Sequence, residues 1–240
     1  MAEKVEGIMS LPALVLLPGM MCDGRMYTSQ LEALKDVAEC QVGYIGGADN
    51  ISEIATQVLA QAPEKFALAG LSMGGIVAME VVRQAPERVT RLALMNTNPR
   101  AEIGDVKSAR KPQIQAVQAG QLEQLVREVM VPRYFSSHQP HAQLDELCVD
   151  MALTLGKDAF VRQSLALQNR HDQQATLASF NKPCLVLMGE EDELCPLDRH
   201  ECMVALLSQV IFVKIHNAGH IPTLEQPAAT NAALKQWMAQ

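Results

Sequence analysis

The segment with the clearest chemical content is Gly70-Leu71-Ser72-Met73-Gly74, followed by Gly75. The apolar run Phe66–Leu71 before it reads as a buried strand, and Met73–Gln84 after it reads as a helix. Ser72 therefore falls on a tight strand-to-helix turn, the setting of a nucleophilic serine held on a strained elbow. Side chains at positions 70 and 74 would collide across such a turn, which accounts for the two glycines. The helix behind Ser72 would turn free N–H groups and the positive end of its dipole toward developing negative charge.

A serine hydroxyl is a poor nucleophile at neutral pH and needs a base, which in turn needs an orienting acid. Of the six histidines, His220 is the best placed. It lies in Asn217-Ala218-Gly219-His220-Ile221-Pro222, just beyond the last predicted strand, on the sheet edge where Ser72 should emerge. His216, at the strand terminus itself, is its nearest rival. His138, His141, His171 and His200 fall in helical or inserted regions, where exposed polar roles are expected. For the acid, the stretch Gly189 to Pro196 follows another predicted strand and opens at the same edge. Asp192 is favoured because it sits in mid-turn; Glu190, Glu191 and Glu193 compete with it but read as solvated charges. Asn96 ends an earlier strand and cannot carry the charge, and Asp105 is rather far along.

These residues need a scaffold, and hydrophobic periodicity supplies one. Strands are predicted over Ala13–Leu17, Val42–Ile45, Phe66–Leu71, Val89–Met95, Cys184–Met188 and Val210–Ile215. Helices are predicted over Arg25–Asp36, Glu53–Gln61, Met73–Gln84, Asp198–Leu207 and Ala228–Met238. Such alternation implies a parallel sheet covered on both faces. From Arg100 to Phe180 it breaks. Helical spacing over Gln113–Val131, His141–Leu155 and Ala159–Asn169, punctuated by Pro112, Pro132, Pro140 and Gly156, describes a helical insertion over one end of the sheet.

Composition narrows the classes further. The chain has 240 residues, 48% of them hydrophobic, enough for a substantial core. With 20 basic and 27 acidic residues its net charge is −7, which argues against nucleic acid as a partner. The longest apolar runs are too short to span a bilayer, and no basic run suits an anionic membrane surface. Met1–Ser10 carries Glu3 and Glu6 and no apolar signal core, so a cytoplasmic location is expected. The six cysteines then read as reduced thiols. His138 and His141 lack the carboxylates or cysteines that would complete a metal site, so no metal is expected, and no cofactor.

Taken together, these motifs resemble the α/β-hydrolase family, in particular its small members with a helical cap. The order Ser72, Asp192, His220 is that family's order of nucleophile, acid and base. Leu16-Leu17-Pro18-Gly19-Met20-Met21-Cys22-Asp23 looks like its oxyanion loop, with Pro18 where many relatives have His. The patterns Gly-x-x-Asp-x-x-x-Pro and Gly-His-x-x-x-x-Glu-x-Pro match Gly189 to Pro196 and Gly219 to Pro227. The likeness covers essentially the whole chain and is loosest from about 100 to 180. It implies a core from residues 1–99 and 181–240 and a helical cap insertion at 100–180. The mostly parallel sheet should have about six strands flanked by helices, without the family's two short N-terminal antiparallel strands.

The resemblance also implies a mechanism. Ser72 attacks a carbonyl, His220 shuttles the proton, Asp192 holds the imidazole, and the backbone N–H groups of Met20 and Met73 bind the oxyanion. The expected function is a serine hydrolase that cleaves a small-to-medium ester, thioester or lactone through an acyl-enzyme. Carbon–carbon bond hydrolysis, lyase chemistry and cofactor-free oxygenation on the same scaffold are the alternatives, and a non-catalytic binding protein is a third. The expected partner is a small-molecule substrate. Its candidate contacts are Met21, Arg25, Met26 and Phe135, with Arg133, Arg162 and Arg170 also able to reach a substrate carboxylate.

Overall fold

The computed structural model describes residues 11–138 and 140–240. The expectation drawn from Met1–Ser10 lies outside the described residues. The strands are β1 (Ala13–Leu17), β2 (Glu39–Val42), β3 (Phe66–Leu71), β4 (Val89–Met95), β5 (Cys184–Gly189) and β6 (Val210–Ile215). They form one six-stranded sheet, all pairs parallel, in the order β2-β1-β3-β4-β5-β6.

Successive side chains of a strand point to opposite faces, and both faces here are buried. Leu14 and Leu16 of β1 pack with Ala67, Ala69, Ala93, Leu185 and Trp237 on one side of the sheet. Val15 and Leu17 pack with Leu68, Leu92, Val186 and the helix residues Val77 and Val81 on the other. This double burial explains why the inner strands read as largely apolar runs.

The helices of the core are α1 (Thr28–Leu34), α2 (Ile51–Gln61) and α3 (Met73–Gln84) before the insertion. Within the insertion lie α4 (Gly104–Gln118), α5 (Leu122–Leu125), α6 (Ala142–Gln168) and α7 (Gln174–Ser179). After it come α8 (Leu197–Leu206), α9 (Pro222–Glu225) and α10 (Pro227–Met238). A π-helical turn (Val126–Met130) and a 3-10 turn (Val131–Arg133) follow α5. Among the described residues, no helix is long and apolar enough to cross a membrane.

Three expectations shift. The second strand is Glu39–Val42, not Val42–Ile45: Ala13 pairs with Glu39 and Leu16 with Val42, and the chain leaves the sheet at Gly43. As a half-exposed edge strand it lacks the apolar run of the inner strands. The first helix of the insertion begins at Gly104 and passes through Pro112, instead of starting after it. The carbonyl that Pro112 leaves unbonded belongs to Ser108, on an exposed face where water can serve it. The predicted helix over Gln113–Val131 is broken at Gly120, whose φ is +93°. By contrast, the separation of the two later helices survives as a bend: Gly156 within α6 has φ 80° and ψ 173°.

Register places the chemistry. Leu17 lies opposite Gly70, Leu71 opposite Met95, Met95 opposite Leu187, and Gly189 opposite Ile215. The segments that follow β1, β3, β4, β5 and β6 therefore emerge along one edge. Strand order also reverses between β1 and β3, since β2 lies beyond β1, and such a switch point opens a crevice at the carboxyl edge.

Candidate active site

Ser72 caps the N-terminus of α3 with φ 54° and ψ −115°. The turn is held by the Ser72 N–H donating to Met95 O (2.9 Å) and by Thr97 Oγ1 donating to Ser72 O (2.7 Å). Glycine is required on both sides. A Cβ on Gly70 would lie 2.3 Å from Gly74 O, and one on Gly74 would lie 2.1 Å from Leu17 O. The second contact shows that α3 also packs directly against the end of β1. Among the described residues, three further non-glycine residues have positive φ: Met21, Asn96 and Asn217. Each lies in a segment that borders Ser72 or His220, so backbone strain is concentrated around the site.

His220 Nε2 lies 2.8 Å from Ser72 Oγ, and His220 Nδ1 lies 2.9 Å from both Asp192 oxygens. Asp192 Oδ1 accepts from the backbone N–H groups of Leu194 (2.9 Å) and Cys195 (3.0 Å), and Oδ2 accepts from Asn96 Nδ2 (2.8 Å). Burial alone would raise the Asp192 pKa. The His220 charge and hydrogen bond outweigh it, helped by the Cys195 N–H and Asn96, and the carboxyl is held below its ordinary value. The geometry thus links a hydroxyl, an imidazole and an ionised carboxylate in one chain. That arrangement can lower the cost of proton removal from Ser72.

The loop bearing His220 is tied to the insertion. The His220 N–H donates to Tyr134 O (2.7 Å), and the Tyr134 ring stacks on the imidazole at 6.2 Å. The buried Glu225 carboxylate accepts from Gly219 N (2.6 Å) and Ser136 N (2.8 Å), joining the loop to the same segment. At the other side of the site, Gln163 Oε1 of α6 accepts from Met21 N (2.9 Å) and fixes the loop after β1.

A cavity of about 380 Å³ opens over Ser72 and His220. Met20 and Met73 line it, and neither backbone N–H has a partner among the described residues, which leaves both able to donate to a ligand. The insertion contributes Ile103, Val106, Val129, Met130 and Phe160 to its wall.

The four candidate substrate contacts do not line this cavity. Met21 is 2% exposed with its side chain in the core, a consequence of its left-handed backbone. Met26 is fully buried beneath the loop, its sulfur accepting from Gly19 N. Arg25 is turned away by ion pairs with Asp23 and Asp150. Phe135 backs onto Gly219 and His141. Arg162 donates to Gly46 O, whereas Arg133 and Arg170 do line the cavity. His200 is also not exposed: it is completely buried in α8.

His138 and His141 pair with separate carboxylates, Glu191 and Glu225. Among the described residues, the trio of metal-ligating type whose atoms converge is Asp192, Cys195 and His220. Its oxygens and Nδ1 are already engaged with each other. Burial, and then the Asp192 charge, push the Cys195 thiol well up, which disfavours the thiolate a metal would need.

Asn96, Tyr134, Gln163 and Glu225 support the site through contacts that the sequence alone does not single out. Asn96 lacks the charge of an acid, but a strand-end asparagine tolerates positive φ and presents an amide donor.

A parallel sheet with a strained serine turn at its switch point and a helical insertion before β5 defines an α/β-hydrolase architecture. The alpha/beta hydrolase family model matches residues 14–233, and the chain belongs to that family. Pimeloyl-[acyl-carrier protein] methyl ester esterase of Aliivibrio salmonicida is 31% identical over 74% of this chain and 70% of its own length. A biotin-biosynthesis bifunctional protein of Cellvibrio japonicus is 25% identical over 95% of this chain, which spans about half (48%) of that longer protein. Among solved structures, a thermophilic esterase from Thermogutta terrifontis, with malate bound, superposes with a TM-score of 0.87. It is 27% identical, and the match covers 96% of this chain and 90% of that one.

Proposed function

We propose that the protein is a carboxylic ester hydrolase that works through an acyl-enzyme on Ser72. The observation that carries this is the unbroken hydrogen-bonded chain Ser72 Oγ, His220, Asp192 at the floor of the cavity. His220 Nε2 takes the hydroxyl proton as Ser72 Oγ attacks the ester carbonyl. The N–H groups of Met20 and Met73 receive the oxyanion. The imidazolium, steadied by Asp192, returns the proton to the leaving alkoxide as the carbon–oxygen bond breaks. Water, activated by the same imidazole, then releases the acid and restores Ser72. Each oxyanion donor contributes ~10²–10³ in rate, and proton transfer by the imidazole ~10²–10⁴.

Residues 100–180 act as a cap: they wall the cavity and hold His220 through Tyr134. The cavity suits a small-to-medium ester, thioester or lactone. Methyl esters are the first compounds to assay, since the relatives named above include a methyl ester esterase. A cytoplasmic location is supported by six cysteines that are all free thiols.

The test is covalent labelling with a fluorophosphonate together with turnover of p-nitrophenyl esters. Wild type should label at Ser72 and release p-nitrophenol, whereas Ser72→Ala should fold, resist labelling and lose turnover. Labelling of Ser72→Ala at another residue would sink the assignment.

A further inference from the structure

We propose that the site takes esters whose acyl chain ends in a carboxylate, received by guanidinium groups of the insertion; this rests on the esterase reading above. The chain has a net charge of −7, yet its cavity is lined by Arg100, Arg110, Arg133, Arg170 and Arg199 against a single carboxylate, Glu102. Arg100 and Arg199 both pair with Asp198, which is 55% exposed and open to solvent screening, so the argument rests on the other three.

Arg110 and Arg170 share Glu102. The Arg110 fork binds both Glu102 oxygens, and the Arg170 fork binds Oε1. The side chains are only 13%, 9% and 2% exposed. Two cations on one anion leave a positive charge withdrawn from water at the cavity wall, an arrangement that gains from a further anion. Burial, and the repulsion of Arg110, push the Arg170 pKa down against the pull of Glu102. Arg110 also reaches the Met20 sulfur at 4.0 Å, which places this charge beside the loop that borders Ser72.

Arg133 comes from a separate element, the 3-10 turn after α5. It is exposed, lines the cavity and has no ion-pair partner among the described residues. Its neighbour Tyr134 holds His220, so the Arg133 backbone is fixed next to the site. The same cavity is also lined by Val106, Met130, Phe160 and Leu167, apolar surface fit for methylene groups. An ester at Ser72, a short apolar chain and a terminal carboxylate match this set of surfaces. The guanidinium fork matches a carboxylate in shape as well as charge. A purely bracing role explains Arg110 and Arg170, but not Arg133, whose side chain has no ion-pair partner among the described residues.

The experiment compares p-nitrophenyl hexanoate with mono-p-nitrophenyl adipate, esters of equal carbon count that differ by one carboxylate. Wild type should favour the adipate ester at least tenfold in kcat/KM, and the preference should shrink with added salt. Arg133→Gln should lower the adipate-to-hexanoate ratio at least fivefold. Arg25→Gln, outside the cavity, should leave the ratio unchanged. Arg110→Lys should lower the ratio too; because it touches buried Glu102 its melting temperature is read alongside, and Arg133→Gln keeps the test decisive if Arg110→Lys misfolds. Free adipate should compete with hexanoate hydrolysis at least tenfold better than inorganic phosphate. The opposite order would make this a phosphate subsite and overturn the carboxylate. Equal rates on both esters, or an Arg133→Gln ratio like that of wild type, overturn the proposal and leave the esterase reading standing. Turnover of neither ester removes both.

Discussion

Asn96 Nδ2 donates to Asp192 Oδ2 at 2.8 Å and also to Gly219 O at 3.1 Å, so one amide at the end of β4 holds both the carboxylate and the residue preceding His220. The backbone of Asn96 is itself pinned to β5 through Leu187 O (2.9 Å) and adopts φ 46°. A neutral side chain is needed here: a carboxylate at position 96 would face Asp192 at hydrogen-bond distance and raise the pKa of the pair.

Asn96→Ala should therefore lower kcat about 10- to 100-fold, the worth of a hydrogen bond to a charged group. Asn96→Asp should lose more and should shift the acid limb of the rate profile upward, because two adjacent carboxylates cannot both stay ionised. Steady-state rates across pH 4–9 for the two variants check this; an unshifted limb in Asn96→Asp would remove the coupling.

Asp192→Asn should cost several orders of magnitude in kcat, since an amide at this position can hold the imidazole in the wrong tautomer. Glu190 pairs with His216 and Glu191 with His138, both at the surface. Glu190→Gln and Glu191→Gln should therefore keep nearly normal rates. The comparison is made at saturating substrate, with circular dichroism to verify folding, and a larger loss in Glu191→Gln would move the acid by one residue.

The inner strands were legible in the sequence because sheet burial on both faces leaves few polar interruptions, Thr90 and Arg91 at the start of β4 being one. Ala13–Leu17, Phe66–Leu71 and Val89–Met95 have the bounds expected, and so does the half-buried edge strand Val210–Ile215, whose sequence is itself nearly all apolar. Edge strand β2 was misplaced because Glu39 and Gln41 interrupt its apolar residues, whereas β6 keeps an apolar run at the opposite edge. Ser72, Asp192 and His220 could be singled out because each follows a legible strand, and parallel strands deliver their C-terminal ends to one edge. The substrate wall was not legible. Which side chains of the loop after β1 turn inward depends on Met21 adopting φ 56°, and which arginines remain available depends on partners such as Asp150, more than a hundred residues away. The role of Asn96 was hidden for a similar reason, since its contact to Asp192 spans 96 positions.

Glu80, buried on the helix that Ser72 caps, should govern acid stability. Burial would raise its pKa, but hydrogen bonds from Arg83, Gln84 and Gln173 and the Arg83 charge bring it down to about 2. A carboxyl with a lowered folded pKa stabilises above its unfolded value of ~4.3, and that stability is lost as pH falls through the folded value. Glu80→Gln should thus be destabilised by ~1–3 kcal/mol at pH 7. Its deficit relative to wild type should shrink between roughly pH 4.5 and 2. Urea melts at pH 7, 4 and 2.5 provide the measurement, and a deficit independent of pH would assign the effect to packing.

The cap can be tested where its apolar side chains face the cavity without supporting the fold. Val106 and Val129 line the cavity and are 45% and 42% exposed, so truncation should change stability by no more than ~0.5 kcal/mol. Leu125 and Phe135 are poorer probes: the first is 7% exposed within the core, and the second packs behind Gly219. If the acyl chain lies along the cap wall, each valine truncated to alanine removes two methyl contacts from a long chain and none from an acetyl group. At ~0.8 kcal/mol per buried methylene, the octanoate-to-acetate ratio of kcat/KM should fall about threefold to tenfold in Val106→Ala and Val129→Ala. Leu125→Ala should instead lower the melting temperature and leave the ratio near that of wild type. Relative rates on p-nitrophenyl acetate and octanoate, read with the melting temperature of each variant, separate a substrate wall from a structural brace. Unchanged ratios in both valine variants, with folding intact, would take residues 100–180 out of substrate selection.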